Sequence, residues 1–255
     1  RSVLHHHRVL REALNLAVTW SLVARNVADS VDPSRPEKTE MNTLDNAGVH
    51  RLLEAALSTI YFSLLHLAVY TGLRRSELIG LQWSDIDLDL ATLSVVRVMH
   101  RIRGKGVQIS PPKTKRSRRK VALSPNAVLA IRARKEDQEA EQAVADYPWG
   151  AESLVFSRFD GSPLRPDTVT HAFADISKCA ALEGIRLHDL RHTDATLMME
   201  QGENPKVVSE RLGHAGVGIA WDNYGHVSPT LQAAAALRSD ETVSSPAEGR
   251  EVDPE

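Results

Sequence analysis

A chain of 255 residues with 42% apolar and 25% charged side chains has the balance of a globular protein, enough for one large domain or one domain plus part of another, and not that of a disordered chain. No apolar run approaches the roughly 18 residues that suggest a membrane span, and Arg1-Ser2-Val3-Leu4-His5-His6-His7 lacks the layout of a signal peptide. The net charge of −2 argues at first sight against a nucleic-acid partner. That average hides a segregation. Residues 239–255 hold six acids (Asp240, Glu241, Glu248, Glu251, Asp253, Glu255) against Arg250 alone, a net of −5 that leaves +3 on the rest. Residues 97–120 contain ten Lys or Arg and no acid. Clustering, not the global sum, focuses a field on phosphate, although such a run taken alone equally suits a solvated hairpin. Cys179 is the single cysteine; it excludes an internal disulfide, fits a reducing cytoplasm, and on a helix reads as small apolar filler. The first residue is not Met, as expected of a piece of a longer protein.

In chain order, residues 3–28 are predicted as a helix, with Leu10, Leu14, Ala17, Val18 and Leu22 at helical spacing. The three histidines at its start run into this pattern and read as native helix without a metal role. Pro33 and Pro36 mark a linker over residues 32–42. Helices follow at 44–58 and 61–71, the second ending at Gly72 as a C-terminal cap, and a short helix starts near Arg74. From Trp83 to Leu123 the pattern changes to short β-rich runs, Leu93-Ser94-Val95-Val96 and Lys120-Val121-Ala122-Leu123, with turns at Gly104 and Pro111-Pro112. Residues 125–144 return to helix, Ser153-Leu154-Val155-Phe156 is a brief extended piece, and helices are expected at 167–182, 189–201, 205–212 and 229–238. The fold class is therefore mostly α with a small antiparallel β-sheet, an α+β domain over 43–238. An acidic tail over 239–255, with Ser244-Ser245-Pro246, reads as disordered.

The chemistry concentrates in the last third. His188 and Arg191 stand three residues apart, so at a helix start they share a face and aim an imidazole and a guanidinium at one point. His214 follows in Leu212-Gly213-His214, and Tyr224 lies ten residues on within a stretch punctuated by Gly213, Gly216, Gly218 and Gly225. Far upstream, Thr71-Gly72-Leu73-Arg74-Arg75-Ser76-Glu77-Leu78 adds two adjacent arginines. Guanidinium forks bind phosphate oxygens, imidazoles move protons near neutral pH, and a phenol can be a nucleophile. Together these groups can hold and attack a phosphodiester. His188 and His192 also have the i, i+4 spacing of a zinc pair, but the glutamate of HExxH and a third ligand are missing.

At these residues the chain resembles the tyrosine recombinases, the phage integrase family, from about Leu44 to Leu237. The run TGxRxSEL is matched by Thr71–Leu78, HxxR by His188–Arg191, and LGH followed by a tyrosine ten residues later by Leu212–Tyr224, with His226 two places beyond. The resemblance implies Arg74, directly after Gly-Leu, as the first catalytic arginine, with Arg75 in the variable position facing solvent or DNA backbone. Glu77 either buttresses Arg74 or is a plain surface glutamate. It implies Tyr224 as nucleophile, Arg74 and Arg191 as clamps on the non-bridging oxygens, His188 assisting the tyrosine's proton and His214 donating to the scissile phosphate. The leaving 5′-oxygen needs a general acid, for which the family uses a lysine on a β-hairpin turn. Pro112-Lys113-Thr114-Lys115-Arg116-Ser117-Arg118-Arg119 is similar to the family's PKTxxSxR and makes it Lys113; Lys105, in Gly104-Lys105-Gly106, resembles the GKG form and is the competitor.

The implied reaction is DNA breaking and rejoining through a 3′-phosphotyrosyl link, without metal or cofactor. The implied partners are duplex DNA at attachment sites, a homotetramer on two duplexes, and accessory DNA-bending or directionality factors. The expected compartment is the bacterial cytoplasm, at the nucleoid. Residues 1–31 are expected as the end of a helical core-binding domain, and the PKT-type hairpin leans toward integrases of phages or mobile elements. Three rival readings share parts of this set. A type IB topoisomerase would use similar chemistry without a partner duplex, a non-catalytic DNA-binding module would need only the basic hairpin and helices, and a metal-dependent phosphodiesterase would need carboxylate clusters that the sequence lacks.

Overall fold

The computed structural model describes residues 2–33, 42–102, 104–114 and 117–213, and the chain divides into two compact units, residues 1–41 and 42–255. In the first, α1 (Ser2–Thr19) is shorter than the helix expected over 3–28. Ser21 takes a left-handed φ of +56°, and the chain returns along α1 into a short 3-10 turn, Val27–Ser30. Asn26 makes the return possible: its side chain accepts from Ala28 N and donates to Arg11 O (3.0 Å) and Asn15 Oδ1 (2.6 Å). One amide thus satisfies groups that a continuing helix would not have needed.

The second unit is built around α3 (Phe62–Thr71), which is buried along nearly its whole length. It packs against α2 (Asn46–Ala56), α5 (Pro125–Ala145) and α7 (Asp189–Glu200). Leu64, Leu65 and Leu67 are each 1% exposed, as expected of a helix that is apolar all round. Gly72 closes α3 in the left-handed conformation, φ +57°, where a β-carbon would be strained. The chain leaves it directly into α4 (Arg75–Leu78). Ser124 caps α5 by accepting from Ala127 N, with Pro125 at the first helical position. The buried Gln138 of α5 holds the loop after it, accepting from Trp83 Nε1 (2.7 Å) and Trp149 Nε1 (3.2 Å) and donating to Leu154 O (2.9 Å).

Where one small sheet was expected, the described residues form two separate sheets. β1 (Ile86–Asp87), β2 (Thr92–Val95) and β5 (Arg119–Ala122) make an antiparallel sheet in the order β1-β2-β5, with Leu93 opposite Val121 and Val95 opposite Arg119. β3 (Val98–Ile102) and β4 (Gly106–Ser110) form a hairpin apart from it. The segregation follows burial. Val98 and Met99 are in the interior, whereas His100, Arg101 and Ile102 are exposed; charge-rich strand ends gain nothing by joining a covered sheet. The extended piece at 153–156 does not become a strand. It contributes one bridge, Gln82 to Leu154, and Val155 N donates to Leu81 O.

α6 (Pro166–Cys179), α7 and α8 (Pro205–Leu212) complete the described residues. Cys179 is exposed, not the apolar filler the sequence suggested. Val169, Phe173 and Ile176 form the buried face of α6, and the last helical position falls off that face. The helix expected at 229–238 and the acidic tail lie outside the described residues. Among the described residues no helix is long and apolar enough to cross a membrane.

A β-carbon built on Gly72 would stand 2.3 Å from Leu212 Cδ2 and 2.7 Å from Asp194 Oδ2, whereas one on Gly104 (φ +80°) would meet nothing within 4 Å. Gly72→Ala therefore combines backbone strain with a clash and is expected to lose about 2–4 kcal/mol. Gly104→Ala carries strain alone, about 1 kcal/mol. Urea melts of the two variants check the ranking; equal losses would contradict the packing around Gly72.

Candidate active site

Arg74 is the residue before the first turn of α4, with extended backbone (φ −71°, ψ 151°). This keeps its side chain outside the helix, 36% exposed, while Glu77 one turn later is 2% exposed. The Glu77 carboxylate accepts from Arg74 N (2.9 Å) and Arg74 Nη1 (2.9 Å). On its other side it takes Arg119, from Nη2 at 2.9 Å and Nη1 at 3.2 Å. Glu77 is thus the buttress and not a surface glutamate. Burial alone would raise its carboxyl, but the Arg119 hydrogen bond and charge, aided by Arg74, outweigh that and hold it below the usual carboxylate value. Arg75 is exposed and turns toward α6, donating to Thr170 Oγ1 (2.5 Å) and Pro166 O (3.3 Å), and with them it lines the same cleft as Arg74.

The second box opens α7. Asp189 is fully buried and closes a fork with Arg186, accepting from its backbone N (2.8 Å), Nε (3.0 Å) and Nη2 (2.8 Å). That fork pins the helix start, with His188 as the residue before the first turn. Burial of part of its ring, then the charges of Arg191 and Arg74, lower the His188 pKa, so the imidazole is neutral and able to accept a proton at neutral pH. His188 and His192 meet edge to face at 5.2 Å. Arg191 is 3% exposed. Its guanidinium donates to Gly72 O (2.7 Å) and to Leu212 O, which ties the loop before Arg74 to the end of α8.

A cleft of about 1100 Å³ joins the two boxes. Arg74, Ser76, Arg186 and His188 line it together with His100, Arg101, Gly104 and Gly106 of the β3–β4 hairpin. Arg101 reaches across to Asp167 at the start of α6 (3.3 Å). The two candidate lysines are both exposed. Lys105 sits in the hairpin turn, its N–H bonded to Ile102 O (3.0 Å). Lys113 lies between β4 and β5, beside a turn in which Ser117 N donates to Thr114 O (3.1 Å) and the two hydroxyls meet at 2.8 Å. Arg119, two residues further, donates to Ser117 O (3.2 Å) and so anchors this loop to Glu77. His214 and Tyr224 lie outside the described residues. Gly213, in the left-handed conformation at φ +65°, closes α8 just before them.

Some polar residues of this region were not singled out as site residues by the sequence. Arg119 was legible only as a match to a motif, although its alternation with Val121 in β5 places it on the inner face. Asp194, one turn beyond Arg191, shares a helix face with it and is 7% exposed. Its Oδ2 lies 3.8 Å from Arg211 Nε of α8. Nothing in the sequence around Arg211 signals that contact.

The phage integrase family model matches residues 42–230, beginning where the second compact unit begins. The chain belongs to this family. Among its relatives, the ICEBs1 integrase of Bacillus subtilis is 33% identical over 174 residues, 68% of this chain and 47% of that protein. An integrase of Streptomyces ambofaciens is 29% identical over 254 residues, covering 93% of this chain and 63% of the relative. The chain thus spans about half to two thirds of the length of these relatives. In three dimensions it matches the Tn1549 transposon integrase, solved in complex with a circular intermediate DNA. The TM-score is 0.77 at 20% identity, over 93% of this chain and 79% of that one. The fold is that of the integrase catalytic domains, mostly α with small antiparallel sheets.

Asp194 holds an unfavourable position. Burial pushes its carboxyl up to about 6, against the pull of Arg211 and Arg191. In the unfolded chain the same group titrates near 3.8, so between these values the folded state binds more protons. The group's contribution to stability is intact below the unfolded value and is lost as pH rises through about 6. Asp194→Asn removes that loss. It is expected to gain roughly 2–3 kcal/mol more at pH 8 than at pH 4, relative to the parent. Urea melts at the two pH values measure this, and an equal effect at both would contradict a buried carboxylate at this position.

Proposed function

We propose that the chain is the catalytic part of a site-specific DNA recombinase that breaks and rejoins DNA through a 3′-phosphotyrosyl link, in the integration of a phage or mobile element. One observation carries this reading. Arg74 and His188, 114 positions apart in the chain, line one cleft with a basic hairpin, and Arg191 is held directly behind by the loop that leads to Arg74. The integrase relatives and the DNA complex of the Tn1549 integrase support duplex DNA as substrate. On this reading residues 43–238 are the catalytic domain, 1–31 the end of a core-binding domain and 32–42 the linker between them.

In the proposed reaction Arg74 and Arg191 clamp the non-bridging oxygens and offset the charge of the pentavalent transition state. Tyr224 attacks phosphorus, and His188, neutral at working pH, takes the tyrosine's proton. His214 donates to the same phosphate. Lys113 protonates the departing 5′-oxygen; the anchoring of its loop through Arg119 to Glu77, and so to Arg74, supports it over Lys105. The products are a phosphotyrosyl ester and a free 5′-hydroxyl. Because the ester keeps the energy of the broken bond, a 5′-hydroxyl from a second duplex can reseal it. A homotetramer on two duplexes, with accessory DNA-bending or directionality factors, would complete strand exchange.

The nucleophile is tested on a pool of random-sequence duplexes, each nicked so that the piece beyond the cleavage site diffuses away. The parent chain is expected to trap DNA covalently, and sequencing the trapped duplex identifies its site. Tyr224→Phe should trap none while binding the recovered duplex with unchanged affinity. An adduct on Tyr224→Phe would move the nucleophile elsewhere, and relaxation of supercoils without joining of duplexes would indicate a topoisomerase.

The general acid is tested with a 5′-phosphorothiolate at the scissile position, which leaves as a thiolate and needs no proton. Lys113→Ala should be severely slowed on ordinary DNA and largely rescued on the sulfur substrate. Lys105→Ala should lose mainly affinity, with a shallower salt dependence because a phosphate contact has gone. Arg74→Ala, about a hundredfold slower by loss of roughly 3 kcal/mol of charge stabilisation, should not be rescued. Rescue of Lys105→Ala in place of Lys113→Ala would assign the acid to the hairpin turn.

A further inference from the structure

We propose that Asp194 and Arg211 are a positioning pair that draws the last turn of α8 against α7 and thereby sets both the Arg191 guanidinium and the chain from which His214 follows. The proposal rests on the recombinase reading above for its consequence, though not for its geometry.

Asp194 is buried and Arg211 half-buried where three segments meet. Asp194 comes from α7, one turn beyond Arg191; Arg211 comes from the final turn of α8; and Gly72, between α3 and Arg74, lies against the Asp194 carboxylate. Arg211 holds its own end of α8 in place several times over. Its Nη1 donates to Ala122 O of β5 (3.1 Å), its Nη2 donates to Tyr70 O of α3, and its carbonyl accepts from Arg119 Nε (2.6 Å). The next carbonyl, Leu212 O, receives Arg191. One residue therefore connects, through adjacent backbone atoms, the Glu77–Arg119 pair that supports Arg74 and the guanidinium of Arg191.

Against this background the Asp194 contact is odd in one respect. Among the described residues, the atoms Asp194 Oδ2 and Arg211 Nε are both buried without a hydrogen-bond partner, 3.8 Å apart. The pair attracts through charge across a gap that a hydrogen bond would close. A packed apolar pair at this position would be the more stable solution, because burying an incompletely satisfied ion pair costs more than it returns. What the carboxylate supplies is a charge facing Arg191 on its own helix and Arg211 from α8, the two cations that act on it. Such a charge fixes the separation of two helix segments on which a catalytic geometry depends, and misplacement by about 1 Å can slow a reaction roughly a hundredfold. An unsatisfied buried charge of this kind, retained beside the proposed reactive site, is the pattern expected where position matters more than stability.

The test uses the full 255-residue chain with Asp194→Asn, Arg211→Gln and the double variant, on the duplex recovered by covalent trapping. Each single variant is expected to bind that DNA within about twofold of the parent and to cleave roughly 10- to 100-fold more slowly in single-turnover reactions. The double variant should be no slower than the slower single, because both changes break one contact. Asp194→Asn should meanwhile be more stable than the parent at pH 8, so that stability and cleavage move in opposite directions. A merely structural role would move them together. Amide hydrogen exchange, read without DNA, should accelerate at Leu212 and Gly213 in both single variants. Where Arg211→Gln does not fold, Arg211→Lys keeps the charge and should show a smaller loss in the same direction. Parental cleavage rates, additive losses, or slowing explained by weaker DNA binding would each overturn the pair. If the parent chain traps no DNA at all, the recombinase reading fails, and hydrogen exchange alone judges the pair: unchanged exchange at Leu212 and Gly213 overturns it.

Discussion

The Arg191 guanidinium is a buried cation that donates to two backbone carbonyls, Gly72 O and Leu212 O, and three helices are organised by that contact. α3 ends at Gly72, α7 supplies the arginine, and α8 ends at Leu212. A guanidinium can do this because its planar fork offers several donors in fixed directions, and removing any acceptor would leave a buried charge partly unsatisfied. The left-handed turn at Gly72 is the geometric condition for it. A side chain there would occupy the space of Leu212 and Asp194, and the loop carrying Arg74 would move away from α7.

A second buried charge system supports the first arginine. Glu77 takes Arg74 on one side and Arg119 on the other, so a surface helix, an inner strand and the loop of Lys113 share one carboxylate. Its charge is well compensated, whereas that of Asp194 is not. The contrast separates two uses of buried carboxylates. Glu77 adds to the stability of the ionised state at neutral pH, and Asp194 subtracts from it. Both lie within one turn of an arginine of the two boxes, at Arg74 and Arg191 respectively.

The cleft they support is wide, about 1100 Å³, as the recombinase reading proposed above requires of a groove for a duplex backbone. Its far wall, the β3–β4 hairpin, is exposed and rich in cations but has few internal anchors beyond its ladder. On that reading, affinity from such a wall would come through counterion release and depend strongly on salt, while Arg74 is held by the buried Glu77 and Arg191 by the Gly72 carbonyl. On the proposed reading, the division would match the two requirements of DNA chemistry, an adaptable surface that gathers the backbone and a rigid one that orients a single phosphate.

Much of this was legible in the chain alone. Helical periodicity and the Gly72 cap placed α2, α3 and α5 close to where they form, because caps and apolar spacing are local properties. The spacing of His188 and Arg191 placed both at one helix start for the same reason: residues three apart along a helix share a face wherever the helix lies. Local rules were insufficient at residues 20–30, where one asparagine made the chain turn back, and at Cys179, whose face depended on what α6 packs against. They could not show that the basic hairpin stands apart from the main sheet, since strand pairing is decided by burial across the whole unit. Nor could they show that Glu77 belongs to Arg119 as well as Arg74, or that Asp194 faces Arg211. Those pairs join residues 17 to 42 positions apart, and only the close packing of α3, α7, α8 and β5 around one glycine brings their charges within reach.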